Sequence, residues 1–201
     1  ATRVNSSGLI EEVGVNVPRL DYSDGGCPIL LTEGQSRNLV TYSEDFSQWT
    51  VLSGANIPIL NGVSDLGVTA YDFNFTSSNQ TIYTSVSISG VVASYYIYIK
   101  GIAGETIYTG LFGGGGSIIH TFSGEWEFVK VENTTISGAS QFQFNTYSGM
   151  TARSFQVSFV QVEEQSYATS YIKTEGTTVT RNADVVGGAG DSSVFNSEEG
   201  V

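Results

Sequence analysis

Charge is what this chain has least of. Only 14% of its 201 residues are Asp, Glu, Lys or Arg, against a usual level of roughly 25%. Eight residues are basic and 20 acidic, for a formal net charge of -12. A surface this acidic is repelled by phosphate backbones, so no nucleic-acid partner is expected, and anionic membranes are disfavoured for the same reason. No apolar run approaches the ~20 residues that a bilayer-spanning helix needs, so no membrane insertion is expected. No charged-then-apolar leader is visible. A chain opening on Ala1 instead of Met reads as an excised or processed fragment.

Metal-binding and nucleophilic side chains are equally scarce. The single cysteine, Cys27, has no partner for a disulfide and no neighbouring base to lower its thiol pKa. The single histidine, His120, has neither a second histidine nor a nearby cysteine with which to hold a transition metal, and reads as structural or surface. Gly113 to Gly116 imitates a phosphate-cradling loop, but neither Lys-Ser/Thr nor a helix follows it. Four glycines between strands read as a hairpin tip. Helical periodicity is lacking throughout, which excludes the crossover helices of a parallel α/β fold.

In place of charge stand Gly, Ser, Thr, Asn and Gln, a composition usual in secreted and virion-surface β proteins. Short alternating segments recur: Val51 to Leu60, Thr69 to Phe75, Thr81 to Ile88, Ala93–Lys100, Glu105–Phe112, Ser117–Phe122, Trp126–Asn133, Gln141–Tyr147 and Arg153–Glu164. Gly or Ser punctuates nearly every gap. Many short strands at near-regular spacing predict an all-β, two-sheet antiparallel β-sandwich. Residues 38–186 would form it, residues 1–37 would be a lead-in too poor in apolar surface for a core of its own, and residues 187–201 a flexible tail. The pairs Glu11-Glu12 and Glu198-Glu199 read as solvated.

Period-two alternation sorts side chains onto faces. Tyr95, Ile97 and Ile99 share one face of their strand; Tyr96, Tyr98 and Lys100 share the other. Phe142 and Phe144 oppose Gln141, Gln143, Asn145 and Tyr147. Trp126, Phe128 and Lys130 alternate with Glu127, Val129 and Val131. The faces turned away from the apolar ones carry tyrosines and amides, which suit a sugar platform: rings meet the C–H face of a pyranose and amides bridge its hydroxyls. Two plainer readings stand beside it, tyrosines as good β formers with solubilising amides, or a face packed on neighbouring protomers in a fibre trimer. Trp126 is a candidate stacking residue, although tryptophan in a small domain more often belongs to the core, as Trp49 also would. Glu125 and Glu127 on one strand face invite a glycosidase reading, but Glu125-Trp126-Glu127-Phe128 departs from the Glu-x-Asp-x-x-Glu pattern of β-sandwich glucanases. No catalytic residue is assigned.

Two terminal motifs carry a family resemblance. Asn38-Leu39-Val40-Thr41-Tyr42-Ser43-Glu44-Asp45-Phe46 with Trp49 looks like an opening strand. Gln161-Val162-Glu163, Ala168-Thr169-Ser170-Tyr171-Ile172 and Thr180-Arg181-Asn182-Ala183-Asp184 look like the closing segment, with Tyr98-Ile99-Lys100-Gly101 and Gly124-Glu125-Trp126 between. The stretch from Asn38 to about Asp184 resembles carbohydrate-binding jelly rolls of the family-4/9/22 type, as they occur in phage tail-fibre and head-spike proteins. The resemblance implies a jelly roll that binds glycan on its concave sheet or loops, displayed on a virion surface beside other virion subunits, as a homotrimer in a fibre. It implies no required cofactor but room for a structural calcium. Glu44, Asp45 and Glu164 would supply oxygen ligands, since Ser158-Phe159 stands where relatives place paired aspartates. The expected function is therefore non-catalytic carbohydrate recognition on a phage fibre or spike through Tyr96, Tyr98, Lys100, Gln141, Gln143, Asn145, Tyr147 and Trp126. A structural spacer or decoration domain is the alternative, and a polysaccharide-degrading enzyme the third reading.

Overall fold

The computed structural model describes residues 1–88, 92–113, 116–136, 138, 140–147 and 150–187. The expected tail therefore lies outside the described residues beyond Gly187, as do Gly114 and Gly115 of the expected hairpin tip. In chain order, the first 38 residues contribute short strands β1 (Thr2–Val4), β2 (Ile10–Glu12), β3 (Leu20–Asp21), β4 (Ile29–Leu30) and β5 (Ser36–Asn38). After a single 3-10 turn, Phe46–Gln48, come β6 (Thr50–Leu52), β7 (Ile59–Val63), β8 (Thr69–Phe75), β9 (Thr81–Ser85) and β10 (Val92–Gly101). The chain continues through β11 (Thr106–Phe112), β12 (Gly116–Thr121), β13 (Glu127–Thr135), β14 (Gln141–Asn145), β15 (Arg153–Glu163) and β16 (Val179–Arg181).

Two five-stranded antiparallel sheets face each other as a jelly-roll sandwich. Sheet I has the order β13-β10-β15-β8-β7 and sheet II the order β12-β11-β14-β9-β6. The chain changes sheet at most connections, which places sequence neighbours on opposite sides of one core. The segment expected as one strand over Val51 to Leu60 is two: β6 joins sheet II and β7 joins sheet I. Its cause is local, because Ser53 (φ 58) and Gly54 (φ 74) both take the left-handed conformation of a turn and Pro58 removes a ladder donor just before β7.

The inward faces fall as the alternation predicts. Tyr95, Ile97 and Ile99 from sheet I meet Ile82, Ile107, Leu111, Phe142 and Phe144 from sheet II, and all are essentially fully buried. Burying each such side chain is worth about 1.5–3 kcal/mol. Phe73 sits at the centre, its ring 5.0 Å from Phe144 and 5.2 Å from both Phe46 and Phe155. Trp49 closes one end of the core, and its indole N–H, which burial would orphan, donates to the Tyr42 carbonyl at 3.0 Å. Gly101 is required by close approach: a Cβ there would lie 2.4 Å from the Phe122 ring.

Part of the outward face of sheet I is also covered, and this was not legible strand by strand. Tyr98 pairs with Phe159, immediately before a bulge between Tyr98 and Ile99. Phe159 then joins Tyr96, Tyr98, Val68 and Tyr171 in a second apolar cluster, with Phe159 and Tyr171 stacked at 4.3 Å. The first 37 residues fold over it. Strand β1 pairs with β2 and β3 with β4, while the Ile10 N–H donates to the Leu66 carbonyl at 3.0 Å. The Thr2 hydroxyl donates to the Tyr171 carbonyl at 2.5 Å. Arg19 locks the layer down: its guanidinium binds Glu33 at 2.9 Å, the Ser170 hydroxyl at 2.8 Å and the Thr2 carbonyl at 3.2 Å, and it also pairs with Asp184. Arg181 adds a 3.3 Å contact to Glu33, and β5 pairs with β16. Both chain arms thus meet in one buried network.

Candidate functional site

The register of sheet II lays out its outer face as a grid. One row crosses the sheet as Ile119, Tyr108, Asn145, Thr81 and Leu52; the next runs Ser117, Gly110, Gln143, Tyr83 and Thr50; a third holds Phe112, Gln141 and Ser85. Four strand spacings of about 4.8 Å make this surface about 19 Å wide. The middle row is lower at Gly110, which has no side chain. That glycine is obligatory: φ is +124°, and a Cβ would come within 2.5 Å of the Gly116 carbonyl oxygen and the Tyr95 hydroxyl. The face is therefore bare on β11 between Tyr108 and Phe112, a shallow local trough bounded by Gln143 on the next strand.

Tyr147 leans over the end of β14 so that its ring centroid lies 4.3 Å from that of Tyr108. Tyr147 stays 42% exposed, and Phe112 and Ile119 beside the trough are more so. The hydrogen bond between the two tyrosine hydroxyls, then slight burial, then the neighbouring phenol's charge push the Tyr147 pKa up to about 12. Asn145 is held by donating from its amide to the Thr81 hydroxyl, leaving its carbonyl oxygen free to accept. The face thus offers rigid aromatic surface with amide donors and acceptors and no charged side chain among the grid positions. Such an array fits an uncharged polyhydroxylated ligand, which is bound by many modest hydrogen bonds and apolar ring contact.

The expected platform is divided by the tertiary structure. Gln141, Gln143, Asn145 and Tyr147 are together on sheet II, with Gln143 the most buried of them at 5% exposure. Tyr96, Tyr98 and Lys100 belong to sheet I, and Trp126 immediately precedes its strand β13, on the far side of the sandwich. Tyr96 and Tyr98 are corrected from ligand-facing to covered: they are 4% and 5% exposed, Tyr96 beside the N-terminal layer and Tyr98 under Trp126 and Phe128. Burial, followed by nearby carboxylates, raises both phenol pKa values, and the Tyr98 hydroxyl donates to Asp65 at 2.5 Å. Trp126 is half-buried, stacked on Tyr98 at 5.3 Å. Lys100 pairs with Glu125 at 3.7 Å at the open end of sheet I. Tyr83 and Tyr108 were missed, although alternation against Ile82 and Ile107 in their own strands marks them as outward.

The expected calcium ligands do not come together. Among the described residues no three of His, Cys, Asp and Glu gather as a metal-holding group. The Glu44 carboxylate accepts from the Tyr171 hydroxyl at 2.8 Å and lies 3.4 Å from the Lys173 ammonium. Asp45 caps the 3-10 turn through Ser47 and accepts from the Tyr71 hydroxyl at 3.0 Å. Its pKa is lowered because these hydrogen bonds outweigh the opposing effect of burial. Both carboxylates are committed to protein donors, and Glu164 follows β15 in a different segment, so the set does not fit an ion. Nor do Glu125 and Glu127 act as a facing pair. Glu125 is exposed in the turn before β13, whereas Glu127 accepts from the Ser123 N–H at 2.8 Å and lies 3.3 Å from His120.

No family model and no curated protein matches the sequence. Solved structures with a similar trace include a family-61 carbohydrate-binding module in complex with β-1,4-galactotriose, 14% identical with a TM-score of 0.46, covering 62% of this chain and 97% of that one. Another is a carbohydrate-binding module of a Cellvibrio mixtus lichenase with cellotriose, 14% identical with a TM-score of 0.39, covering 67% of this chain and 99% of that one. An exo-β-1,3-galactanase from Phanerochaete chrysosporium with galactose is 16% identical with a TM-score of 0.42, covering 72% of this chain and 36% of that one. These likenesses are too distant to place a site on this chain.

Proposed function

We propose that the chain is a non-catalytic carbohydrate-binding module that takes a neutral glycan in the trough of sheet II. The carrying observation is the pairing of exposed Tyr147 with half-buried Tyr108, 4.3 Å apart, beside the Gln141 amide and the free carbonyl oxygen of Asn145. Tyrosine rings would stack on pyranose faces while the amides bridge ring hydroxyls. Affinity of one shallow site would be weak, and display of several copies would supply avidity. The setting we propose is a phage fibre or spike at the virion surface, assembled as a trimer with other virion subunits; only the terminal sequence motifs support it. A multivalent glycan-array screen of the folded chain tests the reading. A coherent set of hits, lost in Tyr108→Ala and Tyr147→Ala, supports it; a blank array from folded protein refutes it.

A second reading, a structural spacer, has an observation of its own. Residues 51–63 contain no charge, and Ile57, Ile59, Leu60 and Val63 are each more than half exposed along the edge strand of sheet I. Such an edge invites protein contact. Sedimentation showing a stable oligomer, together with the blank array, would favour the spacer.

A further inference from the structure

A cleft of about 490 Å³ opens at the end of sheet I that the N-terminal layer leaves bare, on the opposite side of the sandwich from the tyrosine trough. That volume lies within the ordinary range of about 300–1,000 Å³ for small-molecule sites. Strand register places Lys100, Gln156 and Asp72 side by side on three adjacent strands, with Ser154 and Asn74 in the next row and Ile102 on the rim.

The chemistry of this row is unusually ordered. Gln156 donates its amide to one oxygen of Asp72 at 2.9 Å, and Asn61 donates to the other at 2.7 Å. Since a carboxylate only accepts, both amide groups must point their NH2 ends at Asp72, and the Gln156 carbonyl oxygen is left free. Asp72 is therefore held in a fixed plane with a further lone pair on each oxygen. Two parallel acceptors on one rigid carboxylate match two adjacent hydroxyls of a ring. The Ser154 hydroxyl donates to the Asn74 side-chain oxygen at 2.9 Å, which leaves the Asn74 NH2 as a donor. Lys100 supplies a second donor from the cleft wall, balanced by Glu125.

We propose that this cleft is a second ligand site, taking the vicinal hydroxyls of a single neutral pyranose, with Asp72 as the bidentate acceptor and Asn74 and Lys100 as donors. It is independent of the sheet II trough and differs from it in character: one ring gripped by its edge through a charged acceptor, not an extended aromatic surface. With sites on opposite outer faces, one molecule bridges two glycan chains.

The test is a titration of the uniformly 15N-labelled full chain with methyl glycosides of the common hexoses at millimolar concentrations, followed by amide shifts. At least one hexoside should shift residues 72, 74, 154 and 156 saturably. Hydrogen bonds to a charged group are worth about 1.5–3 kcal/mol each, so Asp72→Asn should weaken that binding roughly tenfold or more, while Tyr108→Ala leaves it unchanged. Lys100→Ala, a surface change, gives a second and milder variant should Asp72→Asn perturb the sheet. Shifts confined to sheet II overturn this proposal and leave the trough standing. Shifts confined to the cleft support it and leave the trough to be judged by the glycan array. Shifts on neither face, or cleft shifts that both variants leave unchanged, overturn it.

Discussion

Replacing Arg19 by Met should detach the N-terminal layer and cost the protein much of its stability. The Arg19 side chain is 3% exposed, and its partners Glu33 and Asp184 are 12% and 27% exposed. With Arg181 the four groups balance; without Arg19 two carboxylates share one guanidinium, and the Thr2 carbonyl and Ser170 hydroxyl lose a donor. Breaking a buried pair by removing one partner costs about 3–5 kcal/mol. The surviving Arg181 and the partial exposure of Asp184 put the expectation at the lower end, about 3 kcal/mol. For 150–250 residues a loss of 1 kcal/mol lowers Tm by about 2–4 °C, so the melting temperature should fall by about 6–12 °C. Differential scanning calorimetry at pH 7 reads this, with Arg3→Ala as the control, because the Arg3–Glu11 pair is 24% and 36% exposed and should cost less than about 1 kcal/mol. An Arg19→Met loss no larger than the control's would refute the idea that the network holds the layer. The pH dependence gives an independent check. The Asp184 pKa lies below its ordinary 3.8: burial pushes it up, but the bond from Arg19, the Glu33 backbone N–H and the two guanidinium charges push it down further. A carboxyl depressed in the folded state adds stability above about pH 4 that is lost as pH falls through the folded value. The wild type should therefore lose Tm steeply in that acid range, and Arg19→Met less steeply.

Two further outcomes follow from the trough. Gly110→Ala places a Cβ within 2.5 Å of a carbonyl oxygen and the Tyr95 hydroxyl at φ +124°; it should destabilise the protein by at least about 1–3 kcal/mol in a denaturant titration, and a neutral result would mean that β11 can relax. The Tyr147 hydroxyl should resist ionisation until about pH 12, and Tyr108→Phe should return it towards the ordinary value near 10, followed through the 13C shift of the tyrosine ring. An unshifted Tyr147 in the wild type would show that the two hydroxyls are not bonded.

The all-β class and the faces of the strands were legible in the residue order alone. Period-two alternation is a property of the backbone, and burial selects one parity, so Tyr95, Ile97, Ile99, Phe142 and Phe144 could be assigned to a core before their partners were known. Strand spacing also placed most elements within a residue or two, for example Arg153–Glu163 against an expected Arg153–Glu164. Alternation says which residues share a face; it does not say what lies over that face or which sheet a strand joins. Those are questions of long-range pairing. Tyr96 and Tyr98 read as a ligand platform until the N-terminal layer, fastened by Arg19, meets Tyr96 and the Trp126 ring stacks on Tyr98. Gln141, Gln143, Asn145 and Tyr147 read as the same platform until the sheet order places them on the opposite side. The Asp72 cleft joins β8, β10 and β15, residues as much as 84 positions apart, and only the packed sheet brings them side by side.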